Sequence, residues 1–192
     1  MPTVASGGFM VKSDEFFMHQ ALSLAQQALT AGEFPVGCIL VFENRVVARG
    51  TRSGSTGGTA NEIDHAEIHA LRRFYALTPG CDPSGTTAFC TLEPCLMCFG
   101  ALLIAGIGKI VYAYEDAMGG GTRCRLQDLP DLYATRRPVI VPNVLRNESL
   151  SLFQAFFSGA GATYLKGTLL AEYTLRQTRE KANSFTGRNS SP

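Results

Sequence analysis

Two cysteines three residues apart, Cys95 and Cys98, follow Pro94 at the head of an apolar run from Cys95 to Ala105. Proline sits well at the start of a helix, so the run is predicted to be helical. Residues at i and i+3 share a helix face, so both sulfurs reach one point. The positive end of the helix favours thiolate over thiol. A catalytic zinc site takes three protein ligands and leaves a fourth position for water. His65, in His65-Ala66-Glu67 upstream, is the candidate third ligand. Glu67 is then available as a proton carrier.

Other patterns fit these residues less well. A Cys-x-x-Cys pair also serves redox proteins and structural zinc sites. A structural site needs a fourth Cys or His, and none lies nearby with ligand spacing. A redox pair needs no His-x-Glu partner. His65 and His69 repeat the spacing of a helical zinc-protease pair, but Ala66 stands where that motif needs glutamate. His69 is expected to be a packed or hydrogen-bonded helix residue.

The 192 residues suit one domain, and 45% hydrophobic content suffices for a core. A net charge of +1 gives no overall basic footprint for nucleic acid. No apolar run approaches the ~20 residues that span a membrane. The segment Met1–Phe9 has no charged start and no apolar h-region. The expected home is therefore the reducing cytoplasm. Cys38, Cys81, Cys90 and Cys124 would stay free thiols there, with Cys38 and Cys90 as small core residues.

Hydrophobic periodicity orders the chain. Ser13 is a plausible N-cap for an amphipathic helix over Asp14–Thr30 that ends at Gly32. Val36–Phe42 reads as a buried strand, Glu43-Asn44-Arg45 as a turn, and Val46–Arg49 as the returning strand. The stretch 53–61 is a Gly/Ser/Thr loop. A helix over His65–Tyr75, a strand over Ala88–Thr91, the cysteine helix and a strand over Lys109–Tyr114 follow. Thr122–Arg137 reads as a loop whose Arg123, Arg125, Arg136 and Arg137 either contact phosphate or are solvated. Val139–Val141 is a last strand and Glu148–Phe157 a helix. A further helix is predicted over 168–181, with Leu169, Tyr173 and Arg176 on one face, through whose narrow apolar stripe it is expected to pack. Residues 182–192 read as a disordered tail, so 1–181 forms the single domain. Helices alternating with strands imply an α/β fold with a mixed, five-stranded sheet and helices on its faces. One point stays open. Residues two apart on a regular helix point to nearly opposite sides. His65 and Glu67 converge only if His65 sits at the helix mouth or Glu67 reaches back across the first turn.

From Met18 to Phe157 the chain resembles the bacterial tRNA adenosine deaminases of the cytidine-deaminase-like superfamily. The likeness rests on His19-Gln20-Ala21-Leu22-Ser23-Leu24-Ala25, Glu33-Phe34-Pro35-Val36-Gly37, His65-Ala66-Glu67-Ile68, Thr91-Leu92-Glu93-Pro94-Cys95-Leu96-Met97-Cys98 and Asp116-Ala117. His-x-Glu with a distant Pro-Cys-x-x-Cys is the signature of zinc deaminases acting on nucleobases. The resemblance implies a three-layer α/β/α fold, a homodimer, and one zinc per subunit on His65, Cys95 and Cys98. It implies hydrolysis: zinc-activated water attacks the amine-bearing ring carbon, Glu67 shuttles the proton, and ammonia leaves. Phe34 and Val36 line the base pocket on this reading or simply pack the core. Asp116 binds a substrate hydroxyl or caps a turn. Ala66 and Arg52 complete the candidate substrate contacts.

The chain departs from the family in three places. Arg52 stands where an asparagine usually touches the base, Met118 replaces a common lysine, and residues 159–192 extend past the usual end. Adenosine-to-inosine conversion in tRNA is the expected reaction. The alternatives are a deaminase of a free base, nucleoside or nucleotide (guanine, cytosine, adenine, or cytidine or deoxycytidine monophosphate), with Arg52 holding a phosphate, and a non-catalytic zinc-stabilised dimer.

Overall fold

The Ser13 hydroxyl accepts a hydrogen bond from the Phe16 amide at 3.3 Å and so starts helix α1 (Asp14–Thr30), with the bounds that periodicity implies. The computed structural model describes residues 12–56, 61–159, 161 and 163–178. The predicted tail 182–192, the end of the predicted last helix and part of the 53–61 loop lie outside the described residues.

Strands β1 (Gly37–Phe42) and β2 (Arg45–Thr51) form a hairpin. Its turn residues Glu43 and Asn44 take φ of 46° and 63°. Left-handed geometry at both central positions matches the twist of paired strands. Helix α2 (Ala66–Leu77), strand β3 (Thr87–Leu92), helix α3 (Leu96–Ala105) and strand β4 (Lys109–Tyr114) follow. Gly106, at φ 80°, closes α3. The segment read as one loop contains the short helix α4 (Asp131–Ala134). There Arg125 pairs with Asp128 at 2.7 Å, and Arg137 donates to the Arg136 carbonyl at 2.8 Å. Strand β5 (Val139–Val141) and helices α5 (Arg146–Ser158) and α6 (Leu169–Arg176) complete the order.

The five strands run in the order β2-β1-β3-β4-β5. Strand β1 is antiparallel to β2 and β3, whereas β3, β4 and β5 are parallel. Alternation along each strand splits the core between the sheet's two faces. Ile39, Val41, Phe89 and Val111 pack with Phe17, Met18 and Ala21 of α1. Leu40, Ala88, Cys90 and Ile110 pack with Ala70 and Phe74 of α2 and Phe99 and Leu102 of α3. The result is the expected three-layer α/β/α arrangement.

The phase of α6 differs from expectation. Leu169 is 58% exposed, and the buried residues are Leu170, Ala171 and Thr174. Thr168 caps the helix through its hydroxyl, so the first turn begins at Leu169; of the predicted face only Tyr173 packs, in part, against the core. The Tyr114 hydroxyl meets Thr174 Oγ1 at 3.1 Å on that inward face.

Sheet polarity positions the site. Gly37 opens β1 opposite Thr51 at the end of β2. The ends of β3 and β4 lie at this same edge, because β1 is antiparallel to β3 and β3 is parallel to β4. Phe34 and Val36 before β1, Arg52 after β2, Cys95 after β3 and Asp116 after β4 therefore gather at one end of the sheet.

Candidate active site

His65 and Cys95 occupy the N-cap positions of α2 and α3. Each has extended backbone, with φ and ψ of −74° and 155° at His65 and −64° and 168° at Cys95. Each carbonyl accepts the first helical hydrogen bond, from His69 and Phe99 respectively. Neither side chain caps its own helix, so the imidazole and the thiol are available elsewhere. The extended backbone at His65 settles how His65 and Glu67 converge: the histidine stands at the helix mouth and Glu67 lies in the first turn.

The His65 Nδ1 atom lies 3.5 Å from Cys95 Sγ and 3.5 Å from Cys98 Sγ. Among the described residues, His65, Cys95 and Cys98 form the one group of potential metal ligands whose donor atoms all lie within 4.8 Å of one another. Zinc–sulfur bonds of about 2.3 Å and zinc–nitrogen bonds of about 2.0 Å at a tetrahedral angle imply a nitrogen–sulfur separation of about 3.5 Å. The donor set and its spacing thus fit zinc with a fourth position left open.

Electrostatics agree with that use. The Cys95 pKa is pulled down to about 4, first by its hydrogen bond with Cys98 and, against the cost of burial, by His65. The Cys98 thiol is pushed up, above all by Cys95. Binding of a divalent cation by both sulfurs would release the proton that Cys98 keeps. Glu67 is 3% exposed. Burial raises its carboxyl above the ordinary glutamate value, while its own backbone amide and a hydrogen bond from the Cys98 thiol act in the other direction. A buried carboxyl beside the potential ligands is positioned for proton transfer.

A cavity of about 170 Å³ joins these groups. Phe34, Val36, Arg52, Ala66 and Asp116, the sequence candidates for substrate contact, all line it together with His65, Glu67 and Cys95. Phe34 also packs as core, its ring 5.2 Å from Phe153 and 5.3 Å from Tyr164. Asp116 caps a turn, accepting from the Met118 and Gly119 amides at 2.9 Å each. His69 meets Ser53 Oγ at 3.1 Å, the hydrogen-bonded role expected of it.

Several lining residues were given no role by the sequence, Glu93 among them although it lies inside the cysteine motif. Glu93 is buried and accepts from the Asp116 amide at 3.2 Å and from the Thr122 hydroxyl. It thereby ties the exits of β3 and β4 together. A Cβ at Gly120 would come within 2.4 Å of its carboxylate, so that loop position admits only glycine. Glu62, Tyr164, Leu165 and Leu170 also reach the cavity. The last three come from the segment after α5, whose spacing carries no hint of a site some hundred residues away.

Residues 11–114 match the model for the cytidine and deoxycytidylate deaminase zinc-binding region. The tRNA-specific adenosine deaminase of Streptococcus pyogenes serotype M18 is 30% identical over 149 residues, which cover 78% of this chain and 92% of that protein. The tRNA-specific adenosine deaminase of Bacillus subtilis is 30% identical over 144 residues, covering 75% and 88%. A structure from a study of A-to-I editing by tRNA:A34 deaminases at the wobble position superposes with a TM-score of 0.61 at 32% identity, covering 71% of this chain and 98% of that one. A guanine deaminase from Nitrosomonas europaea shares the fold, with a TM-score of 0.60 at 20% identity, over 77% of this chain and 86% of that one.

Proposed function

We propose that this chain, which belongs to the cytidine and deoxycytidylate deaminase zinc-binding family, converts adenosine to inosine in transfer RNA with one zinc per subunit on His65, Cys95 and Cys98. The chain is a hydrolytic nucleobase deaminase. The observation that carries the site assignment is the convergence of those three donor atoms, two of them, on His65 and Cys95, in one cavity with the buried Glu67. The tRNA-specific relatives, at 30% identity over most of the chain, support the substrate.

Zinc at this site supplies a Lewis acid that lowers the pKa of a water toward ~7. Phe34 and Val36 wall the base, and Ala66 leaves room beside the ligands. Glu67 takes a proton from the attacking water and passes it to the ring nitrogen beside the amine-bearing carbon. It then takes the proton of the hydroxyl newly added to that carbon and delivers it to the amine, so that the carbonyl forms as the carbon–nitrogen bond breaks and ammonia leaves. Asp116 holds its loop against the same cavity and is placed for a sugar hydroxyl.

The proposed assembly is a homodimer. On α3, Leu96 is 62% exposed and Ile104 is 53% exposed, two turns apart with Gly100 between them. A partner's apolar surface would cover that stripe. The proposed compartment is the cytoplasm. Cys38 Sγ and Cys90 Sγ lie 3.8 Å apart as unbridged thiols, and among the described residues no helix is long and apolar enough to cross a membrane. A non-catalytic zinc dimer has no need of a buried Glu67 beside the metal ligands.

A second reading, deamination of a free base, nucleoside or nucleotide, is favoured by Arg52 at the cavity wall and the net charge of +1. The deciding experiment incubates the zinc-loaded chain with a tRNA bearing adenosine at the wobble position and with the separate bases, nucleosides and monophosphates. Inosine in the tRNA, formed at a rate that falls steeply with added salt, is expected. Ammonia from a small substrate with no inosine in tRNA would establish the second reading instead.

A further inference from the structure

Arg52 is 3% exposed and lines the cavity. Its Nη2 donates to the Tyr164 hydroxyl at 3.2 Å and lies 3.6 Å from Glu62 Oε2. Tyr164 donates to that same oxygen at 2.9 Å, and its ring centroid is 5.5 Å from the guanidinium carbon. The remaining donors, Nε and Nη1, are buried with no acceptor among the described residues. A buried guanidinium with unused donors is costly unless something takes them. Glu62, with its side chain 60% exposed, is a weak counterion for it.

The rest of the wall indicates what the missing acceptor is. Among the described residues Arg52 is the sole lysine or arginine lining the cavity, and Glu62, Glu67, Glu93 and Asp116 line it too. A phosphate would meet one guanidinium already shared with Glu62, among several carboxylates. An uncharged base avoids that repulsion. Its ring nitrogens and carbonyl oxygens accept N–H hydrogen bonds, and an arginine fork pairs well with an acceptor edge of a base.

We propose that Arg52 determines specificity by donating through Nε and Nη1 to acceptor atoms of the substrate's ring, and that Tyr164 and Glu62 hold it in place for this. The proposal rests on the deaminase reading of the cavity. Both donors are buried, so the base reaches them by a local shift of the cavity wall that leaves the Nη2–Tyr164 bond in place. The segment after α5 thereby becomes part of the substrate site, and any phosphates of the substrate stay outside the cavity.

Calorimetric titration of the zinc-loaded full chain tests this. The titrants are deamination products, which bind without reacting: inosine, xanthine, uridine, the monophosphates of the two nucleosides, and separately inorganic phosphate. At least one base-bearing product should bind the wild type. Arg52→Gln should weaken it about tenfold or more, by the same factor for a nucleoside and its monophosphate, and Arg52→Lys should recover part of the loss. Inorganic phosphate should not compete. Tyr164→Phe, which keeps ring and charge, should weaken binding by a smaller factor, and it carries the test if Arg52→Gln does not fold. A loss about tenfold larger for the monophosphate, or competition by phosphate, would make Arg52 a phosphate site and overturn the proposal. So would unchanged binding in a folded Arg52→Gln, unchanged binding in Tyr164→Phe, or a wild type that binds no product. Ammonia release from the amine-bearing parents and from a tRNA bearing adenosine at the wobble position tests the deaminase reading separately. A wild type that binds a base through Arg52 yet releases no ammonia fails that reading and leaves the Arg52 result standing.

Discussion

His65 and Cys95 hold the same station on two different helices, each the residue just before the first turn, with Nδ1 and Sγ 3.5 Å apart. Two helix mouths thus face one point, and the backbone amides of both favour negative charge there. Cys95 is held as a thiolate, and the buried Glu67 carboxyl lies in the first turn of α2 beside it.

The ligand assignment makes a direct prediction. Cys95→Ala should lose both zinc and activity, because two remaining ligands cannot hold the ion against water. Metal analysis of the purified variant checks it. A full zinc complement would remove Cys95 from the ligand set.

Glu67→Gln should behave differently. It keeps the shape of the side chain and the zinc ligands but removes the proton carrier. Turnover should fall by about 10²–10⁴-fold with zinc content unchanged. Steady-state kinetics beside metal analysis decides; a variant within tenfold of wild type would need another base.

Gly50 tests how α2 is seated. A Cβ there would lie 2.0 Å from the Ala66 carbonyl oxygen and 2.7 Å from the Ala70 amide nitrogen. Gly50→Ala should push the first turn of α2 off the sheet, carrying His65 and Glu67 with it. The expected cost is about 1–3 kcal/mol with weaker zinc binding. Thermal melts and a competitive zinc titration measure both, and wild-type values for both would contradict the close packing.

Acid should unfold the chain partly through Glu115. Burial alone would raise its carboxyl, but the Arg146 guanidinium and the Tyr173 hydroxyl outweigh that and hold it below the ordinary 4.5. A carboxyl with a depressed folded pKa adds stability above its unfolded value, and that stability is lost as pH falls through the folded value. Urea denaturation should therefore show wild-type stability falling as pH drops below 4.5. Glu115→Gln should be flatter across that window and about 3 kcal/mol less stable at pH 7, since it leaves Arg146 buried without its partner. Parallel pH curves for the two proteins would contradict this.

The phase of α6 is equally testable. Leu170→Ala should cost about 2–5 kcal/mol, whereas Leu169→Ala should stay within about 0.5 kcal/mol. Equal losses in denaturation would restore the face read from periodicity.

Local pattern carried much of this protein. Ser13 and the spacing after it set α1, the apolar runs set five strands, and the Pro-Cys-x-x-Cys and His-x-Glu pieces marked the residues proposed as metal ligands and proton carrier. These features depend on neighbours a few residues away, so sequence expresses them directly. Tertiary structure decided three things. Whether Glu67 could meet His65 depended on the backbone at one N-cap. Which face of α6 turned inward depended on distant partners such as Tyr114, some sixty residues away from Thr174. The setting of Arg52, buried against Tyr164 with donors unspent, depended on a segment more than a hundred residues downstream returning to the sheet edge. Burial and partnership arise from contacts between distant parts of the chain, and no local spacing encodes them.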